Sequence, residues 1–158
     1  MTQRRERDDI SLRWHDVEVR AYKPDAEDTW KDLTRQVLFE SPHMECEVRF
    51  FDVAPGGHTT LERHKHAHAV IVLDGHGECL VADQVHDLRP HDLIETLPFD
   101  WHQFRAAADE HLAFVCIVDK NRDRPQLATN ADLENLARHP AVAAFLDGRR
   151  LGTEPLER

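Results

Sequence analysis

Between Cys46 and Asp119 the chain is a succession of short apolar segments cut apart by turns, and this alternation restricts the fold more than any other feature. The segments read CEVRFFDVA, then Pro55-Gly56-Gly57, then AVIVLDG, GECLVA and QVHDL, the turn Arg89-Pro90-His91-Asp92, LIETL, Pro98-Phe99, HQFRAA and LAFVCIVD. Val, Ile, Leu and Phe fill them, as a pleated and half-buried surface requires. Short strands at near-regular spacing with turn residues between them predict an antiparallel sandwich or barrel, an all-β fold.

The flanks read differently. Residues 1–13 are dominated by charge, WHDVEVRAY from Trp14 alternates like a strand, Lys23-Pro24-Asp25 is a turn, and Arg35 to Phe39 is again extended. Ser41-Pro42 breaks the chain. Downstream, Thr129 with Asp132 predicts a capping box opening the helix ADLENLARH, His139-Pro140 interrupts it, and Ala141 to Leu146 adds a further short helical stretch. The expected organisation is an N-terminal extension over 1–40, a barrel over 41–125 and a short helical tail over 126–158.

Composition removes several classes of function. Hydrophobic residues make up 41% of the 158, enough for one core. No apolar run approaches the roughly 20 residues of a membrane helix, and MTQRRERDDISLRW lacks the apolar stretch of a secretory signal. A soluble, cytoplasmic protein is expected. Twenty basic against thirty acidic residues leave a formal charge of −10, which repels a nucleic-acid backbone. Three cysteines, Cys46, Cys79 and Cys116, are an odd number without CxxC spacing, so they predict free thiols rather than a disulfide framework.

The chemistry is carried by histidine. There are twelve, crowded between His58 and His111. PGGHTTLERHKHAHAVIVLDGHG, residues 55–77, sets Glu62, His64, His66 and His68 at alternate positions, and RPHDLIETLPFDWHQF, residues 89–104, brings His102 after a proline-marked turn. Alternate residues of a barrel strand point inward, so one strand can supply more than one imidazole and a neighbour another. Three or four N/O ligands with an open position is the usual make-up of a catalytic metal site.

On these segments the chain resembles the cupin superfamily, whose fold is a double-stranded β-helix, the jelly-roll barrel, with a metal in its mouth. The family's first motif is a glycine, a His-x-His pair, a further acid or histidine and a second glycine. Registering it on Gly56 and Gly75 sets Glu62 and His64 at the pair and His68 at the third position. Starting the pair at His64 and His66 would leave apolar Val70 third. His102 matches the last ligand of the second motif. Glu62 departs from the family, which mostly has histidine there; its oxygen suits Mn²⁺ or Fe²⁺. The resemblance implies one divalent metal, with Mn²⁺ favoured over Fe²⁺, Ni²⁺ and Cu²⁺, and a homodimer in which the N-terminal strands pack on or swap with a partner barrel.

VRFFDVAPGGHTTLERHKHAHAV, the WHQF around His102 and FVCIVDKNRDRPQL resemble a narrower group, the 1-methylthio-D-xylulose 5-phosphate methylsulfurylases of a methionine-salvage side route. That likeness implies a Mn²⁺-dependent enzyme in which the thiolate of Cys116 takes a methylthio group and passes it to glutathione, leaving 1-deoxy-D-xylulose 5-phosphate. Removing the group leaves two electrons on C1, and a metal at the C2 carbonyl and C3 hydroxyl would let them delocalise. His66 is the candidate proton donor, and Arg105, Arg122 and Arg124 are candidates for the phosphate. Cys46 and Cys79 are expected to pack. The alternatives are an Fe²⁺-dependent cupin dioxygenase, independent of Cys116, and a cupin that binds a metal or ligand without turnover.

Overall fold

The computed structural model describes the backbone of residues 4–21 and 31–150, so the expected turn at Lys23-Pro24-Asp25 lies outside the described residues. The elements are β1 (Val19–Ala21), β2 (Lys31–Phe39), β3 (Cys46–His58), β4 (Glu62–Arg63), β5 (His68–Gly75), β6 (Gly77–Val81), β7 (Gln84–Leu88), β8 (Leu93–Thr96), β9 (His102–Ala106), β10 (Leu112–Asp119), β11 (Gln126–Leu127), α1 (Asn130–Leu136) and α2 (Pro140–Arg150). The strands pair antiparallel in the order β11-β4-β9-β3-β10-β5-β8, with β2 and β1 continuing from β3, and β6 and β7 from β9. This is the expected all-β jelly-roll barrel with a short helical segment after it. Among the described residues no helix is long and apolar enough to cross a membrane.

The sheet curls around Phe51, Val53, Val70, Val72, Leu88, Phe104 and Phe114. The Phe114 ring stacks on both Phe51 and Phe104, with centroids 5.3 and 4.8 Å apart. Pairing of β3 with β10 and of β10 with β5 puts Phe51, Phe114 and Val72 in one row and Arg49, Cys116 and Val70 in the next. Residues directly opposite share a face, so the second row also points into the barrel. Cys79 packs in the same core, and burial pushes its thiol up to about 12, as expected of a packing residue.

Two local features depart from the sequence expectation, each for a physical reason. Pro55-Gly56-Gly57 does not end its strand: β3 runs on to His58, bent where Gly56 adopts φ +70° and donates its N–H to Ala107 O. A side chain on Gly57 would put Cβ 2.7 Å from Lys31 O, so β2 can approach only glycine there. The strand expected from Trp14 shrinks to β1, because buried Gln36 takes up backbone groups of that segment. Its amide donates to Trp14 O and Val17 O and accepts from Trp14 N, and Trp14 then covers Phe50 edge-on at 4.9 Å.

The capping box forms as expected, with Thr129 Oγ1 accepting from Asp132 N, and His139-Pro140 separates α1 from α2. Leu136, Val142, Phe145 and Leu146 bury the helices against Leu61, Leu80 and Trp101.

Candidate metal centre

β4 is only Glu62–Arg63, after which the chain bends and re-enters the sheet at His68. Asp123, after β10, holds the bend: its carboxylate accepts from Lys65 N at 2.8 Å, His66 N at 3.3 Å and His66 Nδ1 at 2.8 Å. Those bonds keep the Asp123 carboxyl well below its ordinary pKa, the Lys65 amide being the largest cause. The bend stacks His66 flat on His64, with centroids 3.6 Å apart and planes 3° from parallel.

His64, His68 and His102 converge, each offering a ligand atom, with all three atoms within 4.8 Å of one another. His64 Nδ1 lies 2.8 Å from His66 O and His102 Nδ1 lies 2.9 Å from Asp100 O. An N–H donated to each carbonyl leaves the Nε2 lone pair facing inward. Both Nε2 atoms are buried and lack a hydrogen-bond partner among the described residues. Buried polar atoms are nearly always satisfied, so two orphaned lone pairs beside a third imidazole fit a divalent metal with nitrogen ligands.

The electrostatics agree. Burial first, and then the neighbouring imidazoles, push His64 down to about 4 and His68 down to about 2. Burial also lowers His102. All three rings are therefore neutral at pH 7, as ligation demands. In chelator-treated protein this has a measurable cost. Below pH 6.5 the unfolded chain binds protons at these histidines that the folded chain refuses, so stability falls as pH falls. The window runs from 6.5 to about 4 for His64 and to about 2 for His68. The Tm of the metal-free protein should drop across it, and His68→Gln should flatten the slope. A Tm curve of the same slope in that variant would contradict the assignment.

The triad opens into a cavity of about 120 Å³ lined also by Glu62, His66, Cys116, Arg35, Arg49 and Arg122. Glu62 is buried and pairs across the sheet with His102, but its carboxylate is not in the set that closes to within 4.8 Å. Cys116 is 3% exposed, with Sγ 3.5 Å from His68 Nδ1. In the metal-free chain burial pushes its thiol up to about 12, against the pull of Arg49 and Arg122.

The expected phosphate residues separate. Arg122 lines this cavity and lies 3.3 Å from Glu47. Arg105 lines a different cleft of about 700 Å³ beside α2, where its guanidinium lies 4.1 Å over the Phe145 ring and donates to Phe145 O. Arg124 is exposed and outside the cavity lining. Arg35, Arg49 and Asp123 also line the cavity, without standing out in the sequence motifs. For Arg49 the signal was there: CEVRFF sets Glu47 and Arg49 at alternate positions in step with Phe51, which puts charges on a core-facing stripe. Arg35 becomes legible only through its pairing with Phe51.

The cupin domain family matches residues 49–118. A curated relative, the 1-methylthio-D-xylulose 5-phosphate methylsulfurylase of Rhodospirillum rubrum, is 50% identical over 136 residues, 86% of this chain and 87% of that protein. The crystal structure of a cupin 2 conserved barrel domain protein from Rhodopseudomonas palustris matches with TM-score 0.84 and 43% identity over 90% of this chain and 98% of that one. A cupin-2 domain structure from Rhodospirillum rubrum matches with TM-score 0.84 and 47% identity over 93% and 97%. The barrel topology, the converging imidazoles and these likenesses agree: the chain belongs to the cupin superfamily, as a relative of that methylsulfurylase.

Proposed function

We propose that this chain is a metal-dependent enzyme that moves the methylthio group of 1-methylthio-D-xylulose 5-phosphate onto a thiol, with Cys116 as nucleophile and glutathione as final acceptor. The observation that carries the reading is one cavity holding both the three-histidine cluster and a cysteine sulfur 3.5 Å from His68 Nδ1, in a chain half identical to a named methylsulfurylase. His64, His68 and His102 would hold the metal, with Glu62 as the oxygen ligand beside them; Mn²⁺ is the ion proposed. A divalent ion there supplies Lewis-acid chemistry at the ketone next to the thioether.

The Cys116 thiolate attacks the methylthio sulfur, an S–S bond forms and the C1–S bond breaks. Its electron pair passes to C1 and into the adjacent carbonyl, and C1 then takes a proton, so the carbon is reduced and the sulfurs are oxidised. Were His68 to hold the metal through Nε2, its Nδ1–H would face the sulfur of Cys116, a donor that favours the thiolate. His66, stacked on His64 and oriented by Asp123, is the proposed source of the proton for C1. Glutathione thiolate then attacks the methylthio sulfur of the mixed disulfide, releasing Cys116 and leaving as its methyl disulfide. A homodimer in a reducing cytoplasm belongs to the same proposal.

With glutathione and substrate, the metal-loaded enzyme should form 1-deoxy-D-xylulose 5-phosphate and methyl glutathione disulfide in equal amounts without consuming oxygen. Oxygen uptake in step with substrate loss would replace this reading with the Fe²⁺ dioxygenase.

A further inference from the structure

We propose that Arg35, Arg49 and Arg122 form the seat for the substrate's terminal phosphate, an inference that rests on the sugar-phosphate reading above. The chain as a whole carries a formal charge of −10, yet this cavity draws three guanidiniums from three separate segments: β2, β3 and the stretch after β10. Such side chains rarely point into a barrel without a task, because burying the charge is costly. Arg49 is nevertheless 11% exposed, on the core-facing stripe of β3. Arg35 lies directly opposite Phe51 and Val37 opposite Arg49, so the two arginines are diagonal neighbours on one face. At the roughly 7–8 Å typical of such diagonals, two long side chains can meet on one tetrahedral anion.

Glu47, itself buried, bonds to Arg49 and lies 3.3 Å from Arg122, which fixes both forks before a ligand arrives. The planar donor fork of arginine matches phosphate oxygens. In strand order the metal-side His68 lies on β5, Cys116 on β10, Arg49 on β3 and Arg35 on β2. The cavity therefore runs from the histidine cluster past the thiol to the guanidiniums. A small acyclic molecule with chelating oxygens at one end and a phosphate at the other would span it.

A purely internal ion pair that ties Arg122 to the barrel would use the same residues, and binding separates the two. The probes are D-xylulose 5-phosphate and D-xylulose, titrated calorimetrically into the metal-loaded protein. Neither carries a methylthio group, so binding is read whether or not the chain performs the transfer. Arg35→Met and Arg49→Met should each weaken the phosphorylated probe by about 10- to 100-fold. D-Xylulose affinity and metal content should stay at wild-type level, and Arg35→Lys should restore part of the loss. If Arg49→Met does not fold, Arg35→Met and Arg122→Met carry the test. Wild-type affinity for D-xylulose 5-phosphate in these variants would overturn the seat, as would equal losses for both sugars. Phosphate-dependent binding without methylthio transfer would support the seat and sink the reaction.

Discussion

Cys116→Ala should lose methylthio transfer by on the order of 10⁴-fold or more, because no other thiol lines the cavity to take the group. Metal content should be unchanged, since the proposed ligand set is His64, His68 and His102 with Glu62 beside it. The fold should survive: the change removes one sulfur from a packed wall, a loss on the order of 1 kcal/mol. Cys116→Ser should behave like the alanine variant, because a serine hydroxyl cannot form the mixed disulfide. Cys79→Ala is the matching control. Its thiol lies in the barrel core and outside the cavity lining, so transfer should persist.

The second large effect concerns the metal. His64→Ala and His102→Ala each remove an imidazole whose inward nitrogen has no hydrogen-bond partner among the described residues. Either variant should lose metal by more than the roughly 10- to 100-fold that removing an outer-sphere partner costs. Activity should fall with it. Glu62→Gln should cost less, about 10- to 100-fold, because the carboxylate stands beside the histidine cluster rather than within its 4.8 Å set. Metal analysis after dialysis against a weak chelator measures all three. Full metal content in His64→Ala would contradict the ligand assignment.

How much of this could be read from the sequence differs between fold and site. Strand positions from Cys46 to Asp119 were legible because period-two apolar patterns and turn residues act locally. The two-residue strands β4 and β11 were not, since a pair of residues has no periodicity and forms only because Glu62 meets Leu127 on one side and His102 on the other, and Arg63 meets Gln126. Alternation in ERHKHAH spaces the histidines but does not show what turns the chain between the two strands. At Lys65-His66 a carboxylate 58 residues downstream of Lys65 takes the two amides and holds the turn. The alternation still delivers His64 and His68 to one place, because the bend keeps the inward phase.

The arginines show the limit most clearly. Arg105 and Arg124 lie near the right segments in sequence, but proximity along a chain does not decide which face a side chain takes. Ladder register does, and it puts Arg35 and Arg49 in the cavity while Arg105 turns to Phe145.

The central proposal is a covalent thiol step, and the most direct measurement is intact-protein mass after mixing metal-loaded enzyme with 1-methylthio-D-xylulose 5-phosphate in the absence of free thiol. Expected is a single methylthio adduct that disappears when glutathione is added and never forms in Cys116→Ala. Product formation by wild-type enzyme with no adduct, or an adduct of the same yield in Cys116→Ala, would contradict it.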